Sequence, residues 1–383
     1  MDTEKLYYAD AYQKTFTATV VACLPRKKGF SIILDKTCFY PEGGGQPGDR
    51  GTLNDIPVTD AHEKEGQVLH YTDSPLEVGS SVTGTINWDR RFDLMQQHSG
   101  EHMVSGVVNR RWGYDNVGFH MGADMITIDF SGVLTEQQLL EVEQEVNRRI
   151  WQNSKVKCSY PSPEELKEIP YRSKKELTGS VRIVEFPGAD ICACCGTHVK
   201  YTGEIGLVKL LSVEKFHSGV RVEMVSGQRA YQYLTEVQQQ NKKISQLLSA
   251  KVMETAKAVE NLSADLEQKK FQLFQMENTQ FAEKAEELRG KGNVFVKMEQ
   301  LSADGVRRAA IAMQETCGGR AAVFSGNDET GYKYAVGLPG GDLRSWVKEF
   351  NSALNGRGGG KPGFVQGSVS AKWDEIVAFM SMA

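Results

Sequence analysis

The sequence predicts an α+β protein built from several domains. Its 383 residues exceed what one ordinary hydrophobic core accommodates, so two or three domains are expected. Runs with the two-residue alternation of strands and runs with the three-to-four-residue spacing of helices follow one another along the chain. Of its residues, 40% are hydrophobic and 25% are charged, which is typical of a soluble globular protein.

Residues 1–90 are predicted to form a β-barrel-like domain. Alternating runs such as TFTATVVACL and QVLHYT are broken by Gly, Pro and Asp, the pattern of a small antiparallel barrel or meander. Residues 91–227 are predicted to form an α+β domain. The run FDLMQQHSGEHMVSGVVNRRW has helical spacing, MITIDF resembles a strand, and Thr135 and Gln138 form a capping box that starts a second helix.

Residues 228–290 are predicted to form a helical linker, because they are rich in Gln, Lys, Glu and Ala and contain no Pro. Two helical runs separated by SAKVMETA form either a hairpin or a coiled-coil-like rod. Residues 291–383 are predicted to form a small α/β domain, with strands at NVFVKME, AAVFSGN and YKYAVGL and a helix at LRSWVKEFNSAL.

Composition also bounds the location and the partners of the protein. No apolar run approaches the length of a membrane span, and the N-terminus lacks the pattern of a signal peptide, so we expect a cytoplasmic protein with no membrane partner. Seven cysteines, an odd number, argue against a disulfide framework. The net charge is −4, but residues 291–383 carry 11 basic and 9 acidic residues, which weakly favours phosphate contacts there.

The spacing of His98 and His102 suits a metal site. The two residues lie four apart in HSGEH, and residues four apart on a helix share one face about 6 Å apart along the axis. Two imidazoles placed in this way can bind one metal ion. The alternative is a half-buried helix with two hydrogen-bonded histidines, because a zinc motif needs more than a pair.

Cys194 and His198, in CCGTH, would supply a thiolate and a third imidazole. Neither pair completes a zinc site, but together they have the number and softness that Zn²⁺ requires. An unrelated buried thiol cluster is the alternative, and Cys192 and Cys195 are substitutes for Cys194. We expect one Zn²⁺ with four ligands: His98, His102, Cys194 and His198.

The same helix fits a metallopeptidase motif, His-x-x-Glu-His, in which Glu101 would activate a zinc-bound water. Such an enzyme would take its third ligand from a distant glutamate and would leave Cys194 and His198 unexplained. On a helix we also expect Glu101 to point away from a metal held by His98 and His102. A peptidase is therefore kept as an alternative.

Two glycine-rich motifs remain. In FYPEGGGQPGDRG, three consecutive glycines allow close approach of a ligand and present amide groups to oxyanions, although a long hairpin turn is equally compatible. In GRGGGKPG, glycines combine with two cations, which suits a phosphate-binding loop without the Walker spacing; ATP binding is not expected. A flexible surface loop is the alternative there.

Taken together, these motifs resemble the long form of the AlaX family, relatives of the editing domain of alanyl-tRNA synthetase. FYPEGGGQPGDRG, HSGEH, CCGTH, the run at 202–227 and GRGGGKPGFVQG occur in the family's order over essentially the whole chain. Two departures stand out. Ser99 and Gly100 replace a more usual Thr-Ala, and Phe364 and Gly367 lie where more polar or smaller residues are common.

The resemblance implies a trans-editing aminoacyl-tRNA deacylase that hydrolyses Ser-tRNA(Ala), Gly-tRNA(Ala) or both. It also implies a C-terminal domain of the DHH-associated type that binds tRNA, and a homodimer through the helical region or that domain is a further expectation. A zinc-stabilised tRNA-binding protein without catalysis is a second alternative. The residues expected to contact tRNA are Gly43, Gly44, Gly45, Arg357, Gly359, Gly360 and Lys361.

The choice between serine and alanine constrains the site. Serine is the larger amino acid, so a pocket that admits serine cannot exclude alanine by size and must hydrogen-bond the hydroxyl. Thr37 and Gln46, beside and within the first glycine-rich motif, are the candidates for this contact. An ordinary strand threonine is the alternative for Thr37. Because four protein ligands fill a tetrahedral site, we expect zinc mainly to organise the substrate.

Overall fold

The computed structural model describes residues 2–173 and 180–382. Contacts divide the chain into two compact units, Met1–Lys242 and Lys243–Ala383. Helices and sheets occur in both units, so the α+β class is confirmed. Within the two described ranges, no helix combines the length and the apolar character that a membrane span requires. The finer division into four regions stays a prediction.

The first unit begins with an antiparallel sheet of six strands whose order, β2-β3-β7-β6-β5-β8, returns to β2. Side chains alternate across this ring-like sheet; along the last strand every second residue is buried. The elements are β1 (Glu4–Lys5), α1 (Leu6–Ala9), β2 (Thr15–Pro25), β3 (Phe30–Leu34), β4 (Lys36–Thr37), β5 (Gly51–Leu53), β6 (Ile56–Lys64), β7 (Gln67–Thr72) and β8 (Ser81–Ile86).

The middle of the first unit surrounds one long, buried helix, α2, and contains two sheets with the orders β14-β15-β10-β9 and β11-β12-β13. The capping box of Thr135 and Gln138 is confirmed at the start of α3. The elements are α2 (Trp88–Trp112), β9 (Asn116–Met121), β10 (Ile126–Phe130), α3 (Glu136–Trp151), β11 (Lys157–Ser159), α4 (Pro163–Glu168), β12 (Ile183–Phe186), β13 (Asp190–Ala193), β14 (Val208–Phe216) and β15 (Gly219–Ser226).

A buried ion pair joins the ring-like sheet to α2. The guanidinium of Arg91 is fully buried and donates to both carboxylate oxygens of Asp49, at 3.0 and 2.9 Å from its Nε. Its remaining nitrogens donate to the carbonyl oxygens of Ala11 and Cys38. The two buried charges therefore neutralise each other, and the guanidinium is also hydrogen-bonded to the backbone, as a buried charge requires.

The helices predicted for residues 228–290 are present as α5 (Gly227–Leu247) and α6 (Thr255–Glu287). A short 3₁₀ turn at Val252–Glu254 precedes α6, in the segment SAKVMETA that was expected to separate the two runs.

The second unit contains a five-stranded sheet with the order β16-β17-β18-β20-β19. The GRGGGK segment was expected to be a loop, and that expectation is wrong: it forms the edge strand β19, paired antiparallel with β20. The elements after α6 are β16 (Gly292–Lys297), α7 (Ala303–Gln314), β17 (Gly318–Asn327), β18 (Gly331–Gly337), α8 (Arg344–Ala353), β19 (Gly356–Lys361), β20 (Phe364–Val369) and α9 (Trp373–Met382).

Candidate metal centre and its cavity

The first two proposed ligands lie one turn apart on α2. The rings of His98 and His102 are nearly parallel, with centroids 5.2 Å apart, as the four-residue spacing predicts. A glycine lets this helix pack closely: a side chain at Gly106 would collide with the backbone oxygen of Ala189. That close approach brings the start of β13 alongside His102.

The other two ligands lie just after β13. Arg182 holds this turn by donating to the carbonyl oxygens of Cys194 and Gly196, at 2.8 and 3.0 Å. The amide of Gly196 donates to the sulfur of Cys194 at 3.3 Å. A side chain at Gly196 would collide with the ring of His98, so only glycine lets the turn approach α2.

Together, the four residues offer ligand atoms that all lie within 4.8 Å of one another: His98, His102, Cys194 and His198. The Nε2 of His98 lies 3.5 Å from the sulfur of Cys194. In a tetrahedral zinc site, bond lengths of about 2.0 Å to nitrogen and 2.3 Å to sulfur separate these two atoms by about 3.5 Å. The spacing of this pair therefore fits zinc.

Unpartnered nitrogen atoms provide a second test of the fit. The Nε2 of His102 and both ring nitrogens of His198 are buried and make no hydrogen bond within the described ranges. Leaving a buried polar atom unpaired costs about 1–3 kcal/mol, so such atoms require a partner. A metal ion supplies one, and the set of three imidazoles and one thiolate is the chemistry that zinc prefers.

Two outer hydrogen bonds orient the ligands on α2. The Oε1 of Gln46 accepts from Nδ1 of His98 at 2.9 Å and from the amide of Thr197 at 3.1 Å. On His102, Nδ1 donates to Asp190 at 2.8 Å. In both rings Nδ1 thereby faces a hydrogen-bond acceptor, and Nε2 is the nitrogen left to bind a metal.

Ionisation favours the ligand forms of the Cys–His pair. Burial opposes a charge on Cys194, but the imidazoles of His98, His198 and His102 hold the pKa of its thiol well below the ordinary value. Burial lowers the pKa of His198 to about 3, so its ring is neutral near pH 7. A thiolate and a neutral imidazole are the forms that bind metal ions.

A cavity of about 560 Å³ opens against this group. Its walls include three of the four ligands, the first glycine-rich motif, the aromatic ring of Phe119 and the side chain of Arg172. The lining residues are Gly44, Gly45, His98, Glu101, His102, Val117, Gly118, Phe119, Arg172, Ser173, Cys192, Ala193, Cys194 and Cys195.

Glu101 lies on this wall, so the expectation that it points away from the ligands is wrong. Position 101 is three residues after His98, which places it about 60° from that histidine around the helix axis. Its Oε1 accepts hydrogen bonds from Asn116 and, at 2.6 Å, from Ser105.

Comparisons with known proteins agree with these motifs. Three family models match: tRNA synthetases class II (A) at residues 2–90, the threonyl and alanyl tRNA synthetase second additional domain at 181–222, and the DHHA1 domain at 291–383. The second match includes Cys194 and His198.

Two relatives show how far the similarity extends. The alanyl-tRNA editing protein Aarsd1 of Mus musculus is 33% identical over 273 residues, 66% of this chain and 66% of that protein. The alanyl-tRNA editing protein AlaX-L of Pyrococcus horikoshii is 28% identical over 390 residues, 97% of this chain and 96% of that protein. The chain belongs to the AlaX family of alanyl-tRNA editing proteins.

Among solved structures, the C-Ala domain of Aquifex aeolicus alanyl-tRNA synthetase matches 23% of this AlaX family member. The match covers 86% of that domain, with 18% sequence identity and a TM-score of 0.21.

The first glycine-rich motif of this AlaX protein contributes Gly44 and Gly45 to the cavity wall. Both have positive φ, 60° and 85°, and a side chain at Gly45 would lie 2.5 Å from the ring of Phe119. Gly43 does not line the cavity; its amide and carbonyl groups form a tight turn with Gln46.

The structure does not bring Thr37 to the cavity. Thr37 is fully buried in the first unit, and its hydroxyl bonds to Nε2 of His70 at 2.8 Å and accepts from the amide of Phe39. Gln46 is also fully buried, and its Nε2 donates to the hydroxyl of Thr197 at 2.8 Å. Gln46 therefore contacts a proposed ligand, whereas Thr37 contacts none.

The expected tRNA contacts of the second unit lie on the edge strand β19. Arg357, Gly359 and Lys361 alternate along it and are half-buried or exposed. Space beside Gly359 is open, whereas a side chain at Gly360 would collide with β20.

Sequence reasoning missed Asp190, Arg172 and Phe119. Asp190 lies only four residues before Cys194, and an acidic residue near a ligand pair could have suggested its role. Arg172 donates to both oxygens of Asp190, at 2.8 and 2.7 Å. Of the substitutes for Cys194, Cys192 forms a separate group with His102 and Asp190, and Cys195 is exposed.

Proposed function

We propose that this AlaX family member is a zinc-dependent hydrolase that removes serine, glycine or both from mischarged tRNA(Ala). The observation that supports it most is the group of four convergent ligand atoms from His98, His102, Cys194 and His198 at the cavity. Relatives aligned with this chain are named alanyl-tRNA editing proteins. The bond cleaved would be the ester between the amino acid and the terminal ribose, which makes the protein an aminoacyl-tRNA deacylase.

Residues of the chain would do most of the positioning in this reaction. Zinc bound at the four ligands would supply Lewis acidity beside the ester carbonyl. Because those ligands already complete a tetrahedral set, orientation of the substrate and of the attacking water falls to polar groups of the cavity. The backbone at Gly44 and Gly45 suits the approach of the tRNA 3′ end, since neither residue has a side chain in the way.

Metal analysis and deacylation assays test the proposal together. We expect about one zinc per chain, hydrolysis of Ser-tRNA(Ala) or Gly-tRNA(Ala), and no hydrolysis of Ala-tRNA(Ala). Cys194→Ala and His102→Ala should each lose zinc and activity. Cys23→Ala, which removes a half-buried thiol outside the cavity, is the matched control. Full zinc content in both ligand variants would contradict the ligand set.

To discriminate serine from alanine, the pocket must contain a group that hydrogen-bonds the hydroxyl of serine. The sequence suggests Thr37 as this partner, but the bond of Thr37 to His70 supports a scaffold role, and we propose that role instead. Because a scaffold residue affects both substrates alike, Thr37→Val should slow the hydrolysis of Ser-tRNA(Ala) and of Gly-tRNA(Ala) by similar factors. Selective slowing of Ser-tRNA(Ala) would restore the recognition role.

A metallopeptidase is a second candidate, because Glu101 lines the cavity beside two histidines as the His-x-x-Glu-His motif requires. Peptide hydrolysis that survives Cys194→Ala would favour it. Tight tRNA binding without deacylation of any aminoacyl-tRNA would instead favour an RNA-binding protein with a structural zinc.

We also propose that β19 contacts the tRNA backbone. Arg357 and Lys361 lie at its two ends, and Gly359 leaves space between them. Phosphate contacts carry a strong salt dependence, so replacing both cations by Gln should weaken tRNA binding and reduce its salt dependence. A variant with an unchanged salt slope would place the RNA elsewhere.

The exposed apolar side chains of α6 support a homodimer. Val259, Leu262, Leu266, Leu273 and Met276 are spaced by three, four, seven and three residues, the period of a coiled-coil seam, and all are exposed. Sedimentation analysis of the full chain should give the mass of two chains, and Leu266→Lys should halve it.

A reducing, cytoplasmic location is supported by the cysteines, all seven of which are free thiols in the described ranges. Cell fractionation tests this location.

A further inference from the structure

Arg320, in the unit Lys243–Ala383, is a buried cation without an anionic partner. Only 8% of its surface is exposed, and its guanidinium makes no hydrogen bond and no ion pair with the residues that the structure describes. We infer that this guanidinium and the indole N–H of Trp346 bind a phosphate group. Neither residue lines the cavity at the proposed metal ligands, and the inference does not rest on the proposed hydrolysis.

The alternation of β17 directs Arg320 towards α8. Arg320, Ala322 and Phe324 are alternate residues of this strand, so their side chains point to one face of the sheet. On that face Phe324 packs against Phe350 of α8, with ring centroids 6.0 Å apart. The backbone amide of Arg320 donates to the side chain of Asn293 at 2.9 Å, which anchors this end of the strand. The guanidinium therefore lies on the α8 side of the sheet.

Trp346 of α8 supplies a second unpaired donor. The Cζ atom of Arg320 lies 5.1 Å from the centroid of the indole ring, and Phe350 stacks on the same ring with centroids 5.0 Å apart. The Nε1 of Trp346 is buried and has no hydrogen-bond partner within the described ranges. Because Arg320 and Phe350 already cover the ring, the group that Trp346 offers to a ligand is the N–H at the edge of the indole.

The contact with the indole does not compensate the charge of Arg320. Burial lowers the pKa of the guanidinium, and no carboxylate among the described residues raises it. A cation–π contact is worth less than the cost of burying an unpaired ion, and buried donors require an acceptor. The Nε of Arg320 is buried, but its two Nη nitrogens are accessible, so a small anion reaches the guanidinium from solvent.

The two side chains suit a phosphate better than a carboxylate. A guanidinium presents its N–H groups as a planar fork that binds two oxygens of one anion. A carboxylate has two oxygens in one plane, and the fork occupies both. A phosphate directs its oxygens to the corners of a tetrahedron, so one oxygen accepts from the indole N–H while another accepts from the guanidinium. Such a group is available in the backbone of RNA and as free phosphate in solution.

Inorganic phosphate tests the site on the full chain. The proton–nitrogen correlation spectrum shows the indole N–H groups of the five tryptophans, and Trp346→Phe identifies the signal of Trp346. Phosphate replaces chloride at constant ionic strength. We expect the Trp346 signal to shift until the site is saturated, and the dissociation constant to rise about tenfold or more in Arg320→Gln. An unshifted signal in the wild type, or an unchanged dissociation constant in Arg320→Gln, would overturn the inference.

Arg344→Gln is the matched control. Arg344 lies on the same helix as Trp346, but it is exposed and paired with Asp342, so this variant should keep phosphate affinity within about twofold. Arg320→Gln leaves no partner unpaired, so urea unfolding in chloride should show that it is at least as stable as the wild type. Acetate at the same ionic strength should bind about tenfold more weakly than phosphate. Equal binding of acetate would overturn the choice of phosphate.

Binding of uncharged tRNA(Ala), which carries no amino acid, separates the two sources of phosphate. If the RNA backbone supplies the group, Arg320→Gln should weaken tRNA binding and lower the slope of log K against log salt by about one, whereas Arg344→Gln should keep the slope. Saturable phosphate binding at Trp346 with unchanged tRNA affinity would instead support a site for free phosphate. A protein that hydrolyses no aminoacyl-tRNA would contradict the proposed function and leave this site untouched.

Discussion

Replacing Gln46 by alanine should weaken metal binding through His98. Gln46 is fully buried and makes three hydrogen bonds: Oε1 accepts from Nδ1 of His98 and from the amide of Thr197, and Nε2 donates to the hydroxyl of Thr197. In Gln46→Ala, the proton on Nδ1 of His98 loses its acceptor. The ring is then free to rotate or to move its proton to the nitrogen that faces the metal.

The size of the effect follows from these contacts. In Gln46→Ala, the Nδ1–H of His98 and the amide of Thr197 both lose their acceptor, and each unpaired buried N–H group costs about 1–3 kcal/mol. The free energy of unfolding of the metal-free protein should therefore fall by about 3 kcal/mol. Outer hydrogen bonds of this kind change metal affinity by about 10- to 100-fold. The dissociation constant for zinc should rise by that factor.

Gln97→Ala is the matched control. Gln97 is also a fully buried glutamine with three side-chain hydrogen bonds, two to the backbone of Ser226 and one to Asp93, and none of the three is to a proposed ligand. Both variants should lose similar stability in urea unfolding of the metal-free proteins. Only Gln46→Ala should bind zinc more weakly in competition with a chromogenic chelator. Equal zinc affinities in the two variants would refute the orienting role.

Three further predictions concern stability in unit Met1–Lys242. Asp49→Asn leaves the buried charge of Arg91 unpaired, so urea unfolding should show a loss of about 3–5 kcal/mol, and no loss would mean that the pair is dispensable. Burial lowers the pKa of His70 to about 4, so the unfolded chain binds a proton at this residue before the folded protein does as the pH falls below about 6.5. The free energy of unfolding should therefore drop by about 3 kcal/mol between pH 6.5 and 4. His70→Gln should remove this dependence of stability on pH. The side chain of an alanine at position 100 would collide with the hydroxyl of Ser226. Gly100→Ala should therefore destabilise the protein by about 1–2 kcal/mol despite the better helix propensity of alanine, and by less when Ser226 is also replaced by alanine. Equal losses with and without the Ser226→Ala change would exclude the clash.

The features that could be predicted from the sequence depend on residues that lie close together in the chain. The shared face of His98 and His102 was predicted because a helix turns every 3.6 residues, and the start of α3 was predicted because its cap involves only Thr135 and Gln138. The proximity of Cys194 and His198 was predicted in the same way, from their short spacing in a turn. In each case the partners are at most four residues apart.

What the sequence did not predict depends on distant contacts. The glycines of β19 have weak strand propensity, and this strand exists because it pairs with β20. Asp190 meets His102 across 88 positions of sequence, and no local pattern announces that contact. The position of Glu101 beside His98 could have been predicted, because the angle between positions 98 and 101 follows from helix geometry alone.

The two ligand pairs come from segments separated by 96 residues, as the contact between His98 and Cys194 shows. An ion bound to both pairs would act as a cross-link that closes this long loop, and closing a long loop withdraws conformational freedom from the unfolded chain. Depletion of the ion would let the turn after β13 separate from α2 and would offer it to proteases. Metal supply in the cell would then set how long the protein survives, independently of how fast each molecule works.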